Sequence, residues 1–393
     1  MQFSIPFSGR SHDYTEEEIE VVADVMRTAT PLTQGYHQKQ FEKKIEEYCG
    51  VDHAFAVINA TAGLELAAKC CRLQSGDEVI VPSHTFTSSA YPFVKQGARI
   101  IWADIDQETR VVTVETISRC ITPKTKAIVV PHLYGYVADM PAIQTLARQH
   151  KLIVIEDAAQ ALGSKVDGFM AGSFGDFSVF SFHSHKNLTT LGEGGMLIVS
   201  ETSTAQLIPL IRHNGHCVFE EDRRDYWLPA MGNVDLPMLG EQPIWPSNYC
   251  LAEAECALGV KLLSRIEAMN QRKRRRALGV IDALSDHPEL VFHRVDSSRH
   301  NYHLLVAQFV GKNRDKFIRS MASNEGIQCV VQYYPLNRYP FYKRLGMGEA
   351  DCPNADKFFD NMISFPFHDN LTDDELDQIV ASSKKVLTQI TPE

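Results

Sequence analysis

The stretch FSVFSFHSHKNLTTLGEGGMLIV, residues 177–199, organises the reading of this chain. An apolar and aromatic run, 177–182, opens it, and a second apolar run, 196–199, closes it. Between them lie Lys186, Thr189, Thr190 and the turn-forming GEGG of residues 192–195. Length and alternation predict two β-strands joined by a loop that carries the lysine. A lysine held between buried strands loses hydration, which lowers its pKa and makes it a better nucleophile. The bland alternative is a solvated loop lysine, since most lysines are exposed.

Working outward, short apolar runs recur at residues 54–58, 78–81, 100–103, 127–131 and 152–155, and helix-like segments separate most of them. A capping box opens one helix at Thr15, and residues 41–48 form another, ended by Gly50. This rhythm predicts an α/β fold with a largely parallel sheet. Residues 214–247 break it with Asp, Glu, Pro, Gly and Trp and no clear period, as functional or interface loops do. Residues 252–281 then read as one long helix or two. Strand-like runs near 304–310 and 329–331, with helices at 314–324 and 373–387, predict a smaller α+β domain. The expected division is a large cofactor-binding domain over 1–250 and a small one over 251–393.

The 393 residues are 44% hydrophobic and 22% charged, an ordinary globular composition with room for two cores. The formal charge is 39 − 49 = −10, and the densest basic run, 272–276, reads as a solvated helix face, so no nucleic-acid partner is expected. Nine cysteines without a Cys-x-x-Cys spacing point to a reducing compartment. The start lacks a signal-peptide pattern, and no apolar run approaches the ~18–20 residues that cross a bilayer. A soluble cytoplasmic protein without membrane contacts is expected.

Four features carry chemistry. NATAG at 59–63 turns from a strand into a helix, so backbone N–H groups there face an anion, with the Thr61 hydroxyl beside them and Ala62 in the same turn. Asp157 ends an apolar strand, where open α/β sheets place ligand contacts, and Gln160 follows three residues later. Phe86, just past a strand end, can stack on a flat ring. Ser181 can hold phosphate near the Lys186 amine. Singly, each has a plain counterpart: an N-cap at Asn59 or Asp157, a core aromatic at Phe86. Together they are the parts that hold pyridoxal 5′-phosphate, with Lys186 as the Schiff-base lysine and Asp157 keeping the pyridine nitrogen protonated.

Spread over nearly the whole chain, these and further segments resemble the DegT/DnrJ/EryC1/StrS family of pyridoxal-phosphate sugar aminotransferases. The matching segments include LTQG at 32–35, GDEVIVP at 76–82, EDAAQALG at 156–163, the serine at 181 with KN at 186–187, EGG at 193–195 and SFPFH at 364–368. The resemblance implies an aspartate aminotransferase-like (fold type I) three-layer domain and an amino group moved from L-glutamate to a keto-sugar. It also implies a homodimer in which Asn248 reaches the partner's cofactor phosphate. Cys250 and Leu251 after Asn248-Tyr249, the longer 216–247 segment and the missing histidine near Tyr333 depart from the family pattern. The cluster Arg10, His12, His183, His185, Arg212, His213, His216 suits a carboxylate. The expected acceptor is therefore 8-oxo-3-deoxy-octulosonate, giving the 8-amino sugar of lipopolysaccharide. A nucleotide-linked keto-hexose is the alternative. Two further alternatives are a pyridoxal-dependent sugar dehydratase, in which histidine replaces the lysine, and a non-catalytic sensor. His185 adjoins the lysine, but the spacing from Ser181 keeps Lys186 in the catalytic slot.

Overall fold

The computed structural model describes residues 3–8, 13–217, 233–239, 242–295 and 297–390. Seven strands form the main sheet: β1 Ala54–Val57, β2 Glu78–Pro82, β3 Arg99–Ala103, β4 Thr125–Pro131, β5 Ile153–Asp157, β6 Phe177–Ser181 and β7 Gly195–Val199. Their order is β1-β7-β6-β5-β4-β2-β3. Pairing is parallel from β3 through β6, whereas β7 runs antiparallel to both β6 and β1. The central strands read as continuous Val, Ile and Ala runs because helices cover them; Val79, Ile80, Val129, Ile155 and Val179 are all fully buried. This is the expected α/β class with a mainly parallel sheet.

Register sets the site. Pro131 of β4 lies opposite Asp157 of β5, and Asp157 lies opposite Val179 of β6. The acid therefore stands at the carboxyl edge, beside the start of the loop that leaves β6. A helix over Ala60–Cys70 follows β1 and packs on β6 and β7. The expected helix near 41–48 spans Tyr36–Cys49 and ends at Gly50 in the left-handed conformation (φ 70°).

A second core gathers around a three-stranded antiparallel sheet of β8 Leu290–Phe292, β9 Leu305–Phe309 and β10 Met362–Phe365. Helices Arg314–Asn324 and Asp373–Ile390 contribute Phe317, Met321, Ile379 and Val386 to it. Ile5, far upstream, joins the same core through a parallel bridge to Ile327. Of the expected strand at 329–331, only Val330 pairs, in an isolated bridge with Ser364, and β8 and β10 were not anticipated. The segment 252–281 is two helices, Glu253–Leu263 and Ile266–Ala283.

One expectation is corrected here. The 272–276 run is not a solvated face: Lys273 is buried, Arg272 pairs with Asp369 at 2.8 Å, Arg276 pairs with Asp373 at 2.8 Å and Arg274 donates to the His300 carbonyl. Lys273 shares a stripe with Ile266, Met269, Asn270, Ala277 and Val280, so helical geometry turns it inward. Within 214–247, the described residues form two short ladders, His216–Cys217 with Asn233–Val234 and Met238–Leu239 with Gln242–Pro243; residues 218–232 lie outside the described part. No described helix is long and apolar enough to cross a membrane.

Candidate active site

A cavity of about 430 Å³ opens at the carboxyl edge of the sheet, and its lining includes Thr61, Phe86, Asp157, Gln160, Ser181 and Lys186. Six of the eight expected site residues thus meet in one place. Ala62 and Asn248 do not line it.

The lysine is presented by the loop between β6 and β7. Phe182 N–H donates to Gly194 O (2.7 Å), Ser184 N–H to Gly192 O (3.0 Å) and Thr190 N–H to Phe182 O (3.0 Å), which closes the loop on itself. Gly195 lets β7 start against the Ala60–Cys70 helix: a Cβ there would lie 2.5 Å from the Asn59 carbonyl carbon. Lys186 is half-buried, and its Nζ has no hydrogen bond or ion pair among the described residues. Burial lowers its pKa to about 8, against the opposing pull of Asp157.

Asp157 is buried and held from two sides. Ser89 donates its hydroxyl to Oδ2 (2.6 Å), and the Ala159 N–H donates to Oδ1 (3.2 Å). The neighbouring Glu156 faces away from the cavity chemistry. It accepts from His132 Nε2 (3.0 Å) and from the amides of Gly172, Phe174 and Gly175, which locks the loop before β6 beneath β5. Ala138 N–H donates to His132 Nδ1 (3.4 Å), so His132 carries its proton on Nε2.

At the other end, Asn59 caps the helix by accepting the Ala62 N–H (2.9 Å). That bond turns Ala62 to a structural use. The amides of Ala60 and Thr61, one position earlier, have no intrahelical acceptor by geometry, and both residues line the cavity. Thr61 Oγ1 and Ser88 Oγ are 2.9 Å apart. Ser181, at the end of β6, is buried beside them in the lining. Phe86 is 51% exposed, a cavity-wall aromatic and not a core one, with its ring 5.8 Å from Tyr333.

Gln160 is occupied. Its Oε1 accepts the Tyr134 N–H (2.6 Å) and its Nε2 donates to Tyr333 Oη (3.1 Å). Tyr333 lines the cavity, and its hydroxyl proton has no acceptor among the described residues; burial raises its pKa to about 12, so it stays a donor. Tyr333, Gln332 and His368 were not anticipated as lining, although the sequence marks their neighbourhood at 333–335 and 364–368. Gln332 Nε2 and both ring nitrogens of His368 are buried without partners among the described residues.

Among the described residues, the expected carboxylate cluster is not brought together. Arg212 is buried against Glu42 (2.6 Å) and the Ala56 carbonyl, and His213 lies 4.7 Å from His216 outside the cavity. Arg10 and His12 lie outside the described residues. Only His183 and His185 of that group line the cavity. Asn248 is exposed and bridges to His213.

The arrangement offers a deprotonatable amine, a fixed carboxylate, an anion-binding helix start and an aromatic wall around one cavity. Comparison with known proteins agrees with that chemistry. The chain is 32% identical over 393 residues to the spore coat polysaccharide biosynthesis protein SpsC of Bacillus subtilis (strain 168), covering 98% of this chain and 97% of that one. It is 32% identical over 376 residues to GDP-perosamine synthase of Caulobacter vibrioides, covering 94% and 95%. Among solved structures, a putative sugar aminotransferase from Streptococcus pneumoniae in its PMP form superposes with a TM-score of 0.87 at 26% identity, covering 98% of this chain and 100% of that one. The DegT/DnrJ/EryC1/StrS aminotransferase family model matches residues 12–384, and the chain belongs to that family.

Proposed function

We propose that this sugar aminotransferase moves an amino group from L-glutamate to a nucleotide-linked keto-hexose, with Lys186 as its catalytic amine. The family works with pyridoxal 5′-phosphate. The donor set fits that group: free amides at a helix start for the phosphate, an aromatic wall for the ring, an acid and an amine at its two ends. When bound, the cofactor supplies an electron sink for the negative charge left at the reacting carbon.

The chain's own residues do the rest. Thr61, the amides around it and Ser181 would hold the cofactor's phosphate, and Phe86 would wall its ring. Asp157, fixed by Ser89, would pair with the ring nitrogen. Lys186 would hold the cofactor covalently and, once freed, would act as the base and acid that moves the donor's Cα proton. Gln160 supports this indirectly through its bond to Tyr333 Oη. Asn248, exposed and absent from the lining of its own cavity, serves the cavity of a second subunit in a homodimer. The carrying observation is that Lys186, without a hydrogen-bond partner among the described residues, and Asp157 line the same cavity.

The preference for a nucleotide-linked acceptor rests on relatives such as GDP-perosamine synthase and on Arg212, His213 and His216 standing outside the cavity. Among the described residues of the cluster, the octulosonate reading keeps His183 and His185 in the cavity. The test is an assay of full-length protein with L-glutamate and each keto-sugar in turn. Release of 2-oxoglutarate with a nucleotide-linked keto-hexose is expected. Amination of 8-oxo-3-deoxy-octulosonate alone would reverse the substrate choice, and a cofactor spectrum untouched by glutamate would remove the donor.

A further inference from the structure

The lining of the cavity has two origins. Thr61, Phe86, Asp157, Gln160, Ser181 and Lys186, the residues assigned to the cofactor, stand at or just after the ends of β1, β2, β5 and β6. Other lining residues come from around the small sheet: His303 just before β9, His368 just after β10, and Tyr333 beyond the Val330–Ser364 bridge. Phe7 and Ser8 join this second group from the segment ahead of the first helix.

That segment is laced to residues 326–328. The N–H groups of Ser4 and Ile5 both donate to Gly326 O (2.9 and 3.2 Å), and Ser4 Oγ donates to the same carbonyl (3.0 Å). Gln328 N–H donates to Ile5 O (3.0 Å), and Phe7 N–H donates back to Gln328 Oε1 (3.0 Å). Alternation in extended backbone does the rest. Ile5, 1% exposed, points into the second core, Pro6 is exposed and gives up no N–H, and Phe7, two residues after Ile5, is half-buried at the cavity. Phe7 belongs to neither core, so packing of the domains does not account for its ring.

We propose that Phe7, with the Ser8 hydroxyl beside it, is a specificity-determining residue for the amino acceptor and walls the sugar ring of the keto-hexose. The inference rests on the acceptor class proposed above. Phe7 offers an uncharged π-face and no hydrogen-bonding side-chain group. Glutamate, charged at both ends, gains little from such a surface. A hexose ring presents faces of C–H groups, which the negative face of an aromatic ring attracts, and its hydroxyls can bond a neighbouring serine. Ligand pockets combine such apolar walls with a few polar contacts. The bonds from residues 4–7 to 326–328 hold this wall in place, so the acceptor is read by a segment far in sequence from every cofactor-holding residue.

The test compares the parent with Phe7→Ala and Phe7→Tyr as full-length, cofactor-loaded proteins, with the two half-reactions read apart. Glutamate alone is followed by the change in cofactor absorbance. The amine-loaded protein is then mixed with GDP-, UDP- or dTDP-linked 4-keto-6-deoxyhexose, and the return of that absorbance is followed. Phe7→Ala should raise the half-saturating concentration of the keto-hexose about tenfold, the size expected for losing an apolar contact in a pocket, and leave the glutamate step within about twofold of the parent. Phe7→Tyr, which keeps the ring, should restore the parent's half-saturation. An unchanged half-saturation in Phe7→Ala frees the sugar from Phe7 and overturns the proposal. An equal loss in the glutamate step makes Phe7 a general support of the cavity and overturns it too. If Phe7→Ala does not fold, Gln328→Leu, which releases the Phe7 N–H from outside the cavity lining, carries the same expectation and is overturned by the same outcomes. A parent protein that reacts with glutamate but with none of the keto-hexoses defeats the acceptor class itself, and this proposal with it.

Discussion

Ser89 reaches Asp157 across 2.6 Å, from the short turn Thr87–Ser89 to the end of β5. A hydroxyl that donates to a carboxylate both favours the ionised form and fixes which oxygen remains for a ligand. Such bonds to charged groups contribute about 1.5–3 kcal/mol. Ser89→Ala should therefore lower kcat/KM about tenfold or more while the cofactor still binds. Wild-type kcat/KM in this variant would show that the bond does not support catalysis.

Asp157→Asn removes the charge and keeps the shape. Breaking a buried charge pair costs about 3–5 kcal/mol. Expressed in the transition state, that corresponds to turnover slowed roughly 10²–10³-fold. Steady-state kinetics at saturating glutamate measure it, and near-normal turnover is incompatible with the assigned role.

Lys186 makes stability depend on pH, with a definite sign. Its folded pKa is lowered from 10.5 to about 8, so between those values the unfolded chain holds more protons than the folded one. Stability therefore rises with pH across that window, and the cost of burying the charge is present in full below it. Against cofactor-free Lys186→Met protein, the parent should gain stability from pH 8 to 10.5. Urea midpoints for both proteins at several pH values give the comparison; parallel curves count against a desolvated amine.

Gly195→Ala would push a methyl group into the backbone of Asn59, 2.5 Å away. Overpacking of this kind costs about 1–3 kcal/mol, and here the atoms that must move belong to the helix start assigned to the phosphate. Lower thermal stability together with weaker pyridoxal phosphate binding is expected. Loss of stability alone would detach the glycine from the cofactor.

The homodimer proposal has a direct check in subunit mixing. Lys186→Ala and Asn248→Ala proteins should each be nearly inactive. Dissociated and reassembled together, they should recover roughly a quarter of parental activity, because a mixed two-fold dimer keeps one intact site of two. No recovery would confine Asn248 to its own chain.

Much of the large sheet was legible because a strand buried on both faces must be a continuous apolar run, as 127–131 and 152–155 are. The cavity's contributions from the loop after β6 were legible for a related reason: polar residues between two such runs have one edge of the sheet to occupy. Less could be read where tertiary contacts override local pattern. Lys273 looked like one more charge in a basic run, yet its helical spacing from Met269 and Ala277 already marked the core stripe. Residues 329–331 have strand composition but among the described residues only Val330 finds a partner, and the end of β10 was read only as part of the SFPFH segment at 364–368. Gln160 shows the remaining gap: chain order placed it near the cavity, but only the fold reveals that Tyr134 and Tyr333 occupy its amide.

Ile5 is stitched to Ile327 in the second core, and Phe7 and Ser8, immediately after it, line the cavity. A bulky group carried on the chain just ahead of Ile5 is consequently tethered within a few residues of the reaction chamber, and kinetic constants should be compared with any such group removed.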